Sequence, residues 1–157
     1  MAITKNPRWA TRADYVGLGE VMFDAVRNGP SRYNEAQRAA WTPAPRTGDE
    51  WNARLDGQAV AVIEVNDTII GFMSLAPKGY VDFAYIRPAW QGKGVFRCLY
   101  QEIEARAIQS GETRLWTHAS LMAEPAFSAI GFTIVRKEQV PLGGEMFARF
   151  EMEKALT

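Results

Sequence analysis

The sequence predicts an α+β fold, an α/β three-layer arrangement in which a mixed, mostly antiparallel sheet of about seven strands carries helices on both faces. Three observations predict it. The first third of the chain spaces its apolar residues helically, whereas residues from Ala59 onward run in β-branched and aromatic stretches. One of those stretches, from Tyr80 to Ile86, passes through a glycine turn into a long helical pattern. At 157 residues and 47% hydrophobic content, the chain suits one domain, 1–157, with a substantial core.

A short apolar segment around Trp9 predicts an edge strand. Asp14 is placed to cap a helix carrying Val16, Leu18, Val21, Met22, Ala25 and Val26, which stops before Asn28-Gly29-Pro30. Residues 33–41 and 48–55 predict two shorter helices, separated by the stiff run Thr42-Pro43-Ala44-Pro45-Arg46. Residues 59–65 and 69–76 flank Asn66-Asp67 as a hairpin, and Pro77-Lys78-Gly79 turns the chain into the next strand. Phe96, Leu99, Tyr100, Ile103 and Ala107 mark the buried face of a long helix that stops at Ser110-Gly111. A strand at 114–119 and a short helix at 123–130, with Pro125 in its first turn, come next. The last two strands, 132–140 and 146–152, turn at Pro141-Leu142-Gly143-Gly144.

Composition excludes some classes of function. Formal net charge is zero, so no broad attraction to nucleic acid or anionic lipid is expected. Cys98 is the only cysteine, which excludes an internal disulfide; placed one turn inside the long helix, it is expected to be buried. No apolar run reaches spanning length and the first residues lack an apolar leader core, so a cytoplasmic protein is the default.

The informative stretch is Ile86-Arg87-Pro88-Ala89-Trp90-Gln91-Gly92-Lys93-Gly94-Val95-Phe96. A helix beginning there offers unpaired N–H groups and a partial positive charge, which suits a pyrophosphate. Gly92 and Gly94 let the backbone approach a ligand without a Cβ in the way. The run lacks the third glycine of a dinucleotide-binding fingerprint, and it has no Gly-Lys-Ser or Gly-Lys-Thr for a nucleoside triphosphate.

This stretch resembles the acyl-CoA-binding segment of the GNAT superfamily of N-acetyltransferases, whose signature is Q/R-x-x-G-x-G/A after a strand. His118-Ala119-Ser120 followed by Ala126-Phe127-Ser128-Ala129-Ile130-Gly131-Phe132 resembles that family's second landmark, a helix closing on Gly-Phe. The resemblance implies acetyl-CoA as cosubstrate, no metal, and an amine acceptor that is a small molecule or a peptide. It implies two parallel strands that splay apart around the pantetheine arm, with Ile86 pairing its backbone to that arm. Backbone amides of Gly92, Lys93, Gly94, Val95 and Phe96, following Gln91, would then hold the pyrophosphate, and Lys93 can add charge. Early helices would overlie the acceptor pocket, which makes Tyr33, Trp41 and Trp51 candidates for lining it, or else anchors of helix to sheet. Two positions depart from the pattern: Phe96 stands where a second Gly or Ala is usual, and Phe127 where a tyrosine commonly serves as acid.

Amide formation needs an unprotonated amine held near the thioester and a group to take its proton. Asp82 is the acidic residue of the strand before the loop, on the face expected to carry Tyr80, Ala84 and Ile86, and it is the first candidate base. Glu64 is the second. With no hydroxyl at Phe127, Ser120, His118 or Tyr80 are the candidate acids, and His118, the only histidine, can act in either sense. Ser120 and Phe127 are also candidates for contact with the coenzyme. A catalytically reduced acyl-CoA-binding module is the alternative, and a partner-binding protein without cofactor the third reading. The final strand is a plausible edge for a homodimer.

Overall fold

The structure, a computed structural model, describes residues 6–156. Its strands are Arg8–Trp9 (β1), Ala59–Val65 (β2), Thr68–Ala76 (β3), Tyr80–Ile86 (β4), Arg114–Ser120 (β5), Thr133–Leu142 (β6) and Glu145–Ala155 (β7). The helices are Tyr15–Asn28 (α1), Glu35–Trp41 (α2), Asp49–Asp56 (α3), Val95–Gln109 (α4) and Glu124–Ala129 (α5). One seven-stranded sheet forms in the order β1-β2-β3-β4-β5-β7-β6, so the final strand is not the edge expected from sequence: β7 is paired on both sides and β6 forms the edge. Every neighbouring pair is antiparallel except β4 with β5. The expected mixed, mostly antiparallel sheet with helices on both faces is therefore what the chain builds.

Two apolar layers sandwich that sheet. Leu18, Val21 and Met22 of α1, with Trp51 and Leu55 of α3, pack on Val60, Val62, Phe72 and Phe83. Leu99, Tyr100, Ile103 and Ala107 of α4 pack on Ala61, Ile63, Ile70, Met73 and Val81. Consecutive residues of β2 thus serve opposite layers, as a strand's two-residue period requires, and both of its faces are apolar because both are covered.

Local chemistry sets the turns. Asn66 and Asp67 (φ 50° and 63°) close the β2–β3 hairpin, and Gly143 and Gly144 (φ 59° and 81°) close β6–β7. Both are two-residue turns with positive φ, the geometry that matches strand twist. The second turn is shorter than expected. Pro141 belongs to β6, opposite Met146, which an edge strand tolerates because no ladder bond needs the missing N–H. Asp14 is also placed differently from the expectation. Its carboxylate accepts from Thr11 N–H at 2.8 Å and pairs with Arg8 at 2.9 Å, ahead of α1, and it makes no cap bond to that helix.

The departure with most consequence lies in β4. Met73 pairs with Ala84 and Leu75 with Val81, so two residues, Asp82 and Phe83, stand opposite the single Ser74. This is a β-bulge. The Phe83 N–H it displaces from the ladder donates to Ser74 Oγ at 2.9 Å, which accounts for a serine with no exposure. The extra residue resets the alternation: Phe83 and Tyr85 pack with the α1 layer, while Val81, Ala84 and Ile86 pack with the α4 layer. Asp82 shares its side of the sheet with Tyr80 but not with Ala84 and Ile86, which corrects the simple alternation expected from sequence.

Candidate active site

β4 and β5 pair in parallel only at Tyr80 with Trp116 and Val81 with Thr117. Thr117 Oγ1 donates to Val81 O at 2.8 Å and closes the fork at that point. Beyond it β5 stays paired with β7 as far as Ser120, and β4 stays paired with β3. Phe83 N–H and Arg87 N–H both point to β3, the latter donating to Ile70 O at 2.8 Å. By alternation, Ala84 and Ile86 turn their backbone polar groups toward the gap. The splayed pair of parallel strands expected from sequence is present.

The gap opens into a cavity of about 750 Å³. One wall is Ala84, Tyr85 and Ile86 of β4, continuing through Gln91, Gly92 and Gly94 to Val95, Phe96 and Arg97 at the start of α4. Facing it are Ser120 to Ala123 and residues of α5, with Pro30, Ser31 and Arg32 above. Met122 Sδ spans that upper side, accepting from Arg32 N–H at 3.3 Å and Ser31 Oγ at 3.6 Å.

Gly92 and Gly94 (φ 73° and 84°) hold the left-handed backbone that swings the loop into the helix. Cys98 N–H makes the first bond of α4, to Gly94 O at 3.2 Å. The amides of Val95, Phe96 and Arg97 therefore have no acceptor within the helix and face a cavity wall, so the residues present fit a diphosphate. Gln91 turns inward, its Nε2 donating to Ile86 O at 3.0 Å. Lys93 is exposed and lies off the cavity wall. Phe96 is half-buried on the wall, its ring edge-on to Phe127 at 5.1 Å, and the cavity continues past it to Gly92 and Arg97. Phe127 is buried behind that wall against Phe132 rather than lining it. Cys98 is half-buried against the same core instead of fully enclosed.

A second, smaller cavity of about 180 Å³ lies on the α1 side of the fork. Tyr80, Asp82, His118 and Ser120 all line it, together with Tyr33, Trp41, Phe83, Tyr85, Phe147, Arg46, Arg54 and Arg149. Trp41, Tyr85 and Ser120 line both cavities, so the two meet there. Trp51 stays out of the wall; it is buried, with Nε1 donating to Tyr15 O at 2.8 Å, and serves as an anchor. Glu64 pairs with Arg8 on β2, away from both cavities.

Asp82 is firmly held. Arg54 donates to both its oxygens at 2.7 and 3.0 Å, and Gln58 Nε2 adds a third bond at 2.7 Å. Tyr80 Oη lies 2.9 Å from His118 Nδ1, and His118 Nε2 lies 3.6 Å from Glu138 Oε1, which in turn accepts from Arg149 Nε at 2.8 Å. Burial lowers the His118 pKa from its ordinary value, with Arg149 acting in the same direction. Burial raises that of Tyr80. Near neutral pH the pair is thus a protonated phenol beside a neutral imidazole, one able to give a proton and the other to take one. Ser120 Oγ accepts from Ala123 N–H at 3.1 Å, which leaves its own hydrogen available to a ligand. Sequence reasoning missed Glu138, Arg149, Arg46 and Arg54. Arg54 meets Asp82 across 28 residues and Arg149 meets Glu138 across 11, and the one local signal was charge at alternate positions of β7, Arg149, Glu151 and Glu153.

A sheet parted between two parallel strands, over a glycine-lined helix start and beside a second pocket, is the architecture of a GNAT-type acyltransferase. Residues 30–155 match the family model of the acetyltransferase (GNAT) domain, and the chain belongs to that family. It is 29% identical over 140 residues to the uncharacterized N-acetyltransferase YafP of Escherichia coli K12, covering 88% of each chain. A GCN5-related N-acetyltransferase structure from Rhodopseudomonas palustris superimposes with a TM-score of 0.89 at 25% identity, over 99% of this chain and 98% of that one. The phosphinothricin acetyltransferase of Sinorhizobium meliloti, solved with acetyl-CoA, shares the fold with a TM-score of 0.74 at 20% identity, over 98% and 89% of the two chains. Among the described residues, no helix is long and apolar enough to cross a membrane.

Proposed function

We propose that this chain is an acetyl-CoA-dependent N-acetyltransferase that acetylates the primary amine of a small-molecule or peptide acceptor by direct attack. The observation that carries the reading is the meeting of the two cavities at Trp41, Tyr85 and Ser120, which joins a phosphate-binding helix start to a pocket holding titratable groups. The acetyl-CoA bound by the Sinorhizobium meliloti relative supports the choice of cosubstrate. Amides of Val95, Phe96 and Arg97, with the Gly92–Gly94 loop, hold the diphosphate. The gap-facing backbone of Ala84 and Ile86 holds the pantetheine arm.

Bound acetyl-CoA supplies an electrophilic thioester carbonyl. The chain's own residues do the rest. Trp41, Phe83 and Tyr85 on the wall partly desolvate the amine and Arg46 opposes an ammonium beside it, which together favour its neutral, nucleophilic form. As the C–N bond forms and the C–S bond breaks, the amine proton passes to Tyr80 Oη while the phenol proton passes to His118 Nδ1. The resulting imidazolium faces Glu138 across Nε2. Ser120 Oγ–H hydrogen-bonds the departing sulfur, which leaves as the CoA thiolate, and the imidazolium then returns its proton to solvent. Asp82, whose carboxylate is engaged by three N–H groups, positions Arg54 and shapes the acceptor wall.

The test is calorimetric titration with acetyl-CoA, followed by thiol release over a panel of amines. Binding with amine-dependent release is expected. Binding without release on any amine would leave a coenzyme-binding module, and absence of binding would overturn the reading entirely.

A further inference from the structure

Most charges lining the smaller cavity are already matched. Arg54 grips Asp82 through two bonds and Arg149 is held by Glu138. Arg46 is the exception: among the described residues no carboxylate lies within 4.0 Å of its guanidinium, although the side chain is half-buried on the cavity wall. Its place is not accidental. Gly19 of α1 has no side chain, and a Cβ there would come within 2.1 Å of Arg46 O, so the loop backbone lies directly against the helix. Trp51 then supports the guanidinium at 5.9 Å from its ring centroid. A fixed backbone and an aromatic shelf hold a cation without a counter-ion in a pocket whose other charges are paired.

Removing a guanidinium from bulk water without pairing it is unfavourable, and the arrangement is stabilised by an anion arriving with the ligand. A volume of about 180 Å³ is roughly that of six waters, room for a molecule the size of an α-amino acid. Tyr85, which faces both cavities, places the cation near the junction: burial raises its pKa, and Arg46 is the foremost charge acting against that rise.

We propose that Arg46 receives a carboxylate of the acceptor, and hence that the acceptor is a small amine carrying a free carboxylate, an amino acid or a close analogue. This rests on reading the smaller cavity as the acceptor site. The planar fork of the guanidinium binds both carboxylate oxygens while the amine is directed toward Ser120 and Tyr85.

The experiment compares free amino acids with their methyl esters and with the corresponding decarboxylated amines, in wild type, Arg46→Gln and Arg46→Lys. Thiol release and calorimetric binding are both recorded, with CoA or acetyl-CoA present. Wild type is expected to favour the free acid in kcat/KM by about ten- to a hundredfold, the range of a charge-assisted hydrogen bond. Arg46→Gln should bring the acid-to-ester ratio close to one, chiefly through KM, with Arg46→Lys between the two. Esters or simple amines equal to acids in wild type, or an unchanged ratio in Arg46→Gln, would overturn the assignment. Amino acids that bind wild type but not Arg46→Gln, with no thiol released, would uphold the carboxylate site and count against the transferase instead. No binding of any carboxylate would overturn the site itself.

Discussion

His118 and Asp82 line the same cavity in different surroundings, and those surroundings predict different effects on substitution. Arg149 and Arg136 oppose a charge on His118, Glu138 and Glu151 favour it, and burial decides for the neutral ring. The kcat/KM profile should therefore hold at neutral pH and fall on the acid side, with its inflection below the ordinary histidine value of 6.5. His118→Gln should lower kcat by about 10²–10⁴-fold and remove that inflection, while acetyl-CoA binding measured by calorimetry persists. Asp82→Asn is expected to act differently. Arg54 would lose its charged partner, acceptor KM would rise, and the acid limb would stay; loss of the limb in that variant would make Asp82 the base. These groups were nameable one by one from sequence because Asp82, Tyr80, His118 and Ser120 bracket the glycine loop. Their pairing was not, since Tyr80 meets a ring 38 residues away and Asp82 a guanidinium 28 residues away.

Among the elements, the start of α4 and the bulge of β4 make the site. Gly94 sits at φ 84°, a conformation a β-branched residue adopts only under strain. Gly94→Val should abolish calorimetric binding of acetyl-CoA while far-ultraviolet circular dichroism stays near that of wild type; normal affinity would remove the loop from the coenzyme site. Ser74→Ala leaves the bulged Phe83 N–H buried without an acceptor. It is expected to cost about 1–3 kcal/mol, read as a lower Tm. Glycines and apolar periodicity made α4 and its loop legible, because both signals are local. The bulge carries no such mark: an inserted residue in β4 is defined only by its pairing with Ser74 across the strand. Phe96, which breaks the usual pattern, packs its ring edge-on to Phe127, which Phe132 backs in turn.

At the scale of the whole molecule, the ionic ties predict how the fold responds to acid. Hydrogen bonds from Arg8 lower the Asp14 pKa, and Lys154 with Tyr100 lowers that of Glu104. A group with a depressed folded pKa takes up protons more readily when unfolded, so its stabilisation is present above its ordinary pKa and lost as pH falls below it. Buried, neutral His118 obeys the same sign. Melting temperature should therefore hold from neutral pH down to about 6.5, sag below it as His118 is charged, and fall again under the ordinary values of 4.5 and 3.8 for Glu104 and Asp14. A scan in which His118→Gln keeps the first decline would refute that origin. Element order and the two-faced sheet were legible in the sequence from end to end, whereas the division of the interior into two communicating chambers was not. Along the smaller chamber β4 carries one supernumerary residue. Deleting either Asp82 or Phe83 would erase the bulge and leave one residue opposite Ser74, with Ala84, Tyr85 and Ile86 still on their present faces. Descendants of this chain that shed one of the two should keep their downstream contacts and forfeit either the carboxylate that anchors Arg54 or the ring that joins Trp51 to Phe72.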